Sequence, residues 1–184
     1  MSNFNSDGTL THLVRSKGIT SWEMLLEYIK NIPYGRNKNR EDFSLVLLEN
    51  KGTCSSKHAL AAAVALENKI SEVVLIVGLY KMNTQNTPIG TVLSEAGIAY
   101  IPEAHCYLKI NGIPTDLTSE NSSFEKIKND LLEEIIIQPN QVGDYKVAYH
   151  KDFLKKWISE TQQKHNFDEI WAIREKCIQK LSES

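Results

Sequence analysis

Residues 104–118 read AHCYLKINGIPTDLT. Asn111-Gly112 lies between two apolar runs, the strongest short-range hairpin signal, because both central residues of a type I′ turn need φ > 0. A two-residue turn fixes the register: Ile110 faces Ile113, Tyr107 faces Asp116, and His105 faces Thr118. Side chains alternate along a strand. His105, Tyr107 and Lys109 therefore share one face with Pro114, Asp116 and Thr118. Cys106, Leu108 and Ile110 point the other way with Ile113, Thr115 and Leu117, toward a core. Asp116 is the diagonal neighbour of His105, and diagonal pairs lie roughly 7–8 Å apart, within reach of long side chains. A carboxylate there accepts the imidazole N–H, fixing its tautomer and stabilising the imidazolium.

A histidine so oriented needs a nucleophile. Upstream, residues 50–69 read NKGTCSSKHALAAAVALENK. Ala and Leu dominate after Cys54, so a helix is expected over 55–69. A thiol at that helix's first turn sits near a partial charge of roughly +0.5 and beside free backbone N–H groups. Both favour the thiolate, and the same N–H groups form part of an oxyanion hole. Gly52 lets the chain approach closely before the helix begins. Free cysteines are more often small core residues, and Cys106 and Cys177 are expected to be so. Cys54 and His58, one turn apart, have the spacing of two zinc ligands, with His105 as a third. Cys106 points away from that set and no Cys-x-x-Cys is present, so neither metal nor cofactor is expected.

The remaining chain supplies the frame. TSWEMLLEYIKN at 20–31 reads as a helix with Thr20 and Glu23 as its capping box and Pro33 beyond its end. YGRNKNRED at 34–42 is a polar loop. FSLVLLEN at 43–50 fits a short helix or a strand. EVVLIVGLYKM at 72–82 is a buried strand, and NTQNTPIG at 83–90 a loop. SSFEKIKNDLLEE at 122–134 reads as a short helix and IIIQP as a strand end. From residue 151 onward two amphipathic helices are expected, with Asn166 and Glu169 capping the second. The Trp157 and Trp171 region reads as helix packing.

Composition bounds the function. The 184 residues suit one domain, with 41% apolar and 24% charged residues. Twenty-one basic and 23 acidic residues give a formal charge of -2 and no basic stripe, so nucleic-acid binding is not expected. No apolar run reaches about 18 residues, and no apolar leader opens the chain, so neither membrane nor export is expected. Three irregularly spaced cysteines argue against a disulfide framework and for a reducing, cytoplasmic setting.

Gly52-Thr53-Cys54 opening an Ala-rich helix, then VVLIVGLY, then AHCYLKINGIPTDLT, resembles the transglutaminase-like superfamily of papain-like cysteine enzymes. The resemblance covers about residues 30–118. It implies an α+β, papain-like fold: an antiparallel sheet of strands 73–82, 99–110 and 113–118 packed on the helix that carries Cys54, with further helices at both ends. One domain spans 1–184, with its core at about 20–120 and a helical extension over 121–184. Carried over, Cys54 is the nucleophile, His105 the general base and Asp116 the orienting acid, with Tyr107 at the aromatic position after the histidine. IPY at 32–34 resembles the family's Ile-x-Tyr segment, which makes Tyr34 an oxyanion candidate. His58, where the family has alanine, is a further candidate for tuning the thiolate or touching substrate, and Leu117 replaces a common proline.

The expected function is a cysteine-dependent hydrolase or acyl transferase acting on an amide or ester bond through a thioester. Single-domain bacterial members of the family favour a thiol peptidase or amidase over a transglutaminase. The substrate is a peptide, protein or small amide. The alternative is a non-catalytic peptide- or protein-binding module on the same fold, with a vestigial triad.

Overall fold

The β-branched run after Glu72 becomes the hub of the sheet. In the computed structural model, which describes residues 3–182, this is strand β1 (Val73–Met82). Along its whole length it pairs antiparallel with β2 (Ile101–Ile110), from Val73 opposite Ile110 to Met82 opposite Ile101. The Asn-Gly turn leads into β3 (Ile113–Thr115), and Ile110 faces Ile113, Lys109 faces Pro114 and Leu108 faces Thr115. These pairs follow the register read from the sequence. Strand β3 ends at Thr115 rather than at 118, however, so Asp116 and Thr118 lie beyond the ladder and the expected pairs Tyr107–Asp116 and His105–Thr118 do not form. Asn111 and Gly112 have φ of 50° and 77°, as a type I′ turn requires. A fourth strand, β4 (Leu131–Ile137), lies on the other side of β1 and completes an antiparallel sheet of order β3-β2-β1-β4.

Among the described residues seven α-helices accompany the sheet: α1 (Thr9–Ser16), α2 (Trp22–Asn31), α3 (Leu45–Leu48), α4 (Cys54–Glu67), α5 (Val92–Glu95), α6 (Asp144–Thr161) and α7 (Phe167–Leu181). Helix α4 is buried on every side from Ser56 to Ala65, because the sheet covers one face while α1 and α2 cover others. Its alanines let these elements approach closely. The main core joins Leu75, Val77, Leu79, Ala104, Cys106 and Leu108 of the sheet to Leu60 and Val64 of α4 and to Leu25 and Ile29 of α2. Each such side chain contributes roughly 1.5–3 kcal/mol on burial. A second cluster, with Met82, Ile101, Leu154, Trp157, Ile170 and Cys177, seats α6 and α7 at the far end of the sheet.

Four differences from the sequence reading have physical causes. Ser21, not Thr20, caps α2: it is extended and its hydroxyl accepts from the Met24 N–H at 3.3 Å, while Thr20 points at the Met24 sulfur. Residues 122–134 are not a helix. They form two 3-10 turns, Phe124–Lys126 and Lys128–Asp130, and then enter β4, because the ladder to β1 outweighs the helix propensity of that stretch. The segment after residue 120 thus supplies a strand as well as helices. Helix α6 starts at Asp144, earlier than read. Residues 43–50 settle as the single turn of α3. Asn166 and Glu169 do form the capping box of α7. Among the described residues no helix is long and apolar enough to cross a membrane.

Candidate active site

Three chain segments converge where α4 begins. Thr53 caps the helix: its hydroxyl accepts from the Ser56 N–H at 3.4 Å, and the Ser56 hydroxyl accepts from the Thr53 N–H at 3.0 Å. Cys54 is the first helical residue, so its own N–H has no acceptor within the helix. The preceding turn is fixed by a parallel bridge between Tyr34 and Gly52, with Gly52 N–H donating to the Pro33 carbonyl at 3.1 Å and Gly35 N–H to the Gly52 carbonyl at 3.2 Å. A Cβ at Gly52 would lie 2.8 Å from Lys57 Cγ and 3.0 Å from Ser56 Oγ, so only glycine fits. Asn37 closes the same turn, donating to the Lys51 carbonyl and accepting from the Ser56 hydroxyl.

Behind the turn, Lys57 is fully buried. Its ammonium donates to the carbonyl of Ile32 at 2.6 Å and of Thr118 at 2.8 Å. It thereby ties the Tyr34 loop and the end of the hairpin to α4. Burial lowers its pKa to about 8, against the pull of Asp116 and Cys54.

The hairpin delivers the other two groups. His105 Nε2 lies 3.0 Å from Asp116 Oδ2, and the Thr118 N–H and hydroxyl donate to Asp116 Oδ1 at 3.0 and 2.6 Å. Four lone-pair positions on the carboxylate are thus largely used, which fixes its plane. With Nε2 engaged, Nδ1 is the nitrogen left for Cys54. Gly78 stands opposite His105 on β1, and a Cβ there would come within 2.9 Å of the Tyr107 ring. Tyr107 stacks on the imidazole at 6.2 Å between centroids.

Electrostatics follow from this packing. Burial alone would lower the His105 pKa, but the Asp116 carboxylate and then Cys54 raise it to about 10. Asp116 is held well below the usual carboxylate range, against burial, by His105, His58 and Thr118. The Cys54 thiol is lowered well below its ordinary value by a hydrogen bond from Cys106, then by Lys146 and His105, with burial opposing. Burial and its contact with Cys54 raise Cys106, so of the two neighbours Cys54 is the one that ionises. The Tyr34 hydroxyl is raised by burial and by the negative charge at Cys54 and Glu103, which keeps it a donor.

Cys54, His105, Asp116 and Tyr34 all line a cleft of about 690 Å³. His58 and Tyr107 do not line it. His58 has no exposed surface. The Leu117 N–H donates to its Nε2 at 2.7 Å, so Nδ1 carries the proton and donates to the Cys54 carbonyl at 2.7 Å. Both nitrogens are occupied, which leaves no lone pair for a metal and no face for substrate. It ties the Cys54 turn to the strand end. Tyr107 is buried, its hydroxyl donating to Glu134, and serves as a wall behind His105.

Other residues in the cleft carried no local signal. From β2, Glu103 takes a two-pronged ion pair from Arg174 of α7, at 2.7 and 2.5 Å. Arg36 of the polar loop pairs with Glu175 of α7 at 2.7 Å. Trp171, expected as helix packing, also lines the cleft, under the Arg174 guanidinium at 5.2 Å. Lys146 reaches in from α6. Lys146, Trp171, Arg174 and Glu175 come from helices far along the chain, and only their positions in space relate them to Cys54.

Compared with protein-family models, with curated proteins and with solved structures, the chain finds no match.

Proposed function

We propose that the chain is a cysteine-dependent hydrolase or acyl transferase of the transglutaminase-like, papain-like type. The observation that carries this reading is the 3.0 Å contact between His105 and Asp116 beside a thiol at the first residue of α4. Cys54 attacks an amide or ester carbonyl as the thiolate. His105 holds the thiol proton and returns it from Nδ1 to the leaving group. Asp116 keeps the ring in register. The Cys54 N–H and the Tyr34 hydroxyl face the developing oxyanion. Water or an amine then takes the acyl group from the thioester and regenerates the thiol.

A cleft of about 690 Å³ lies in the size range of ligand pockets and exceeds what a single small group fills, which supports peptide or protein amides as substrates. The test is a p-nitrophenyl ester series with per-cysteine mass spectrometry, alongside iodoacetamide labelling. A burst of p-nitrophenol, a thioester adduct on Cys54, and loss of both in His105→Ala are expected. Slow labelling of Cys54 that ignores the His105 change, with no adduct, would overturn the reading in favour of a non-catalytic binding module.

A further inference from the structure

We propose that Lys146 and Ser55 form a second arm on the nucleophile, in which the lysine orders the serine hydroxyl so that its proton is turned to Cys54 Sγ. This rests on the reading of Cys54 as a thiolate nucleophile. Lys146 is a buried residue of α6, and its ammonium donates to Ser55 Oγ at 2.7 Å. A lysine ammonium donates only, so Ser55 Oγ accepts from Lys146 and keeps its own hydroxyl proton, and Cys54 Sγ lies 3.9 Å from the same oxygen. Cys106 Sγ stands 3.7 Å from that oxygen, with its one proton turned to Cys54. A thiolate accepts and cannot donate, so the direction of the chain is set: Lys146 to Ser55 to Cys54.

The surroundings point the same way. A buried cation is costly unless an anion matches it. Both oxygens of Glu103 are held by Arg174. Those of Asp116 are held by His105 and Thr118. Glu103, already engaged by Arg174, matches part of the Lys146 charge, and the Cys54 thiolate supplies the rest. Around this ammonium stand Cys54 and Ser55 of α4, Glu103 and Cys106 of β2, Arg174 of α7 and His150 of its own helix, with His105 and Tyr34 across the thiol. Burial works against its charge, while Cys106, Cys54 and Glu103 raise its pKa and Arg174 lowers it, so it stays protonated. Lys146 and Ser55 are positioning residues in this scheme, and neither touches the acyl carbon.

The test is the pH profile of Cys54 labelling by iodoacetamide, with ultraviolet thiolate absorbance as a second readout, on Lys146→Met, Ser55→Ala and the double variant. Each single change is expected to move the profile to higher pH and slow labelling at pH 6 by about tenfold, one decade per pKa unit. The double variant should match the slower single, since both cut one arm. Ser55→Ala removes one oxygen from a partly exposed residue and keeps the test open where Lys146→Met fails to fold. Wild-type profiles in folded variants would overturn the proposal, as would effects that simply add. Sensitivity to His105→Ala alone would retain the triad and discard the arm; sensitivity to neither would discard both.

Discussion

Changing Asp116 to Asn removes one charge and almost no volume. At the observed 3.0 Å and an effective dielectric of about 20, the lost attraction to imidazolium is roughly 5 kcal/mol. Retaining half of it through the remaining dipoles still leaves about two decades in the ion-pair population. The amide also puts an N–H against His105 Nε2, which turns that nitrogen into an acceptor and moves the ring proton to Nδ1, the wrong tautomer for a base facing Cys54. The side-chain oxygen of Asn still accepts from Thr118, so the turn survives. Without imidazolium, the Cys54 pKa climbs toward the roughly 8.5 of a free thiol, at which about one thiol in a hundred is ionised at pH 6.5. With Lys146 and Cys106 still in place, iodoacetamide labelling of Cys54 at that pH should fall by about 10- to 100-fold, and converge with wild type above pH 9. A variant with native circular dichroism whose profile superimposes on that of wild type would refute the coupling of Asp116 to the thiol.

Linkage gives a second expectation: the raised His105 pKa stabilises the fold fully below about 6.5 and is lost as pH rises through about 10. The melting-temperature gap between wild type and His105→Gln should therefore shrink over that interval, and a gap that widens would count against the assignment. His58→Ala orphans the buried Leu117 N–H and opens a cavity. Chemical denaturation should show a loss of about 2–4 kcal/mol, and a neutral result would mean the site relaxes around it. Arg174→Met leaves Glu103 buried without its partner and should cost about 3–5 kcal/mol, while replacing both by apolar residues costs less; urea midpoints of the single and double variants decide this. Gly52→Ala drives a methyl into a lysine stem pinned at its far end, so both the stability and the labelling rate of Cys54 should drop together; a folded, fast-labelling Gly52→Ala would show that the turn has slack.

The hairpin was legible because its information is local: one Asn-Gly turn and strict alternation place His105 and Asp116 on a common face. Cys54 at the start of α4 was legible for the same reason, through the change from Gly-Thr to an alanine run. Strand β4 was half legible: Ile135–Ile137 read as a strand end, but Leu131–Glu134 follow a stretch with helical periodicity and become strand only by pairing with β1. Lys146, Glu103 and Arg174 were not legible, because each looks like an ordinary amphipathic charge until the fold brings them together. The same limit left the reading of His58 open between a packed histidine and one that tunes the thiolate or touches substrate. Its position one turn after Cys54 says that it is near the thiol, but not that the Leu117 N–H occupies the nitrogen that would have faced a substrate.

Lys57 has a consequence in time rather than in space. Its ammonium must leave water to enter the core, and it is repaid there only when the carbonyls of Ile32 and Thr118 are both in place. The Cys54 thiol is synthesised well before the hairpin that supplies His105, Asp116 and Thr118. A growing chain therefore carries Cys54 as an ordinary thiol until the hairpin has been made and docked. On the proposed reading the Cys54–His105–Asp116 centre is assembled only when the hairpin docks, and any local opening that pulls Lys57 back to water takes it apart as a unit.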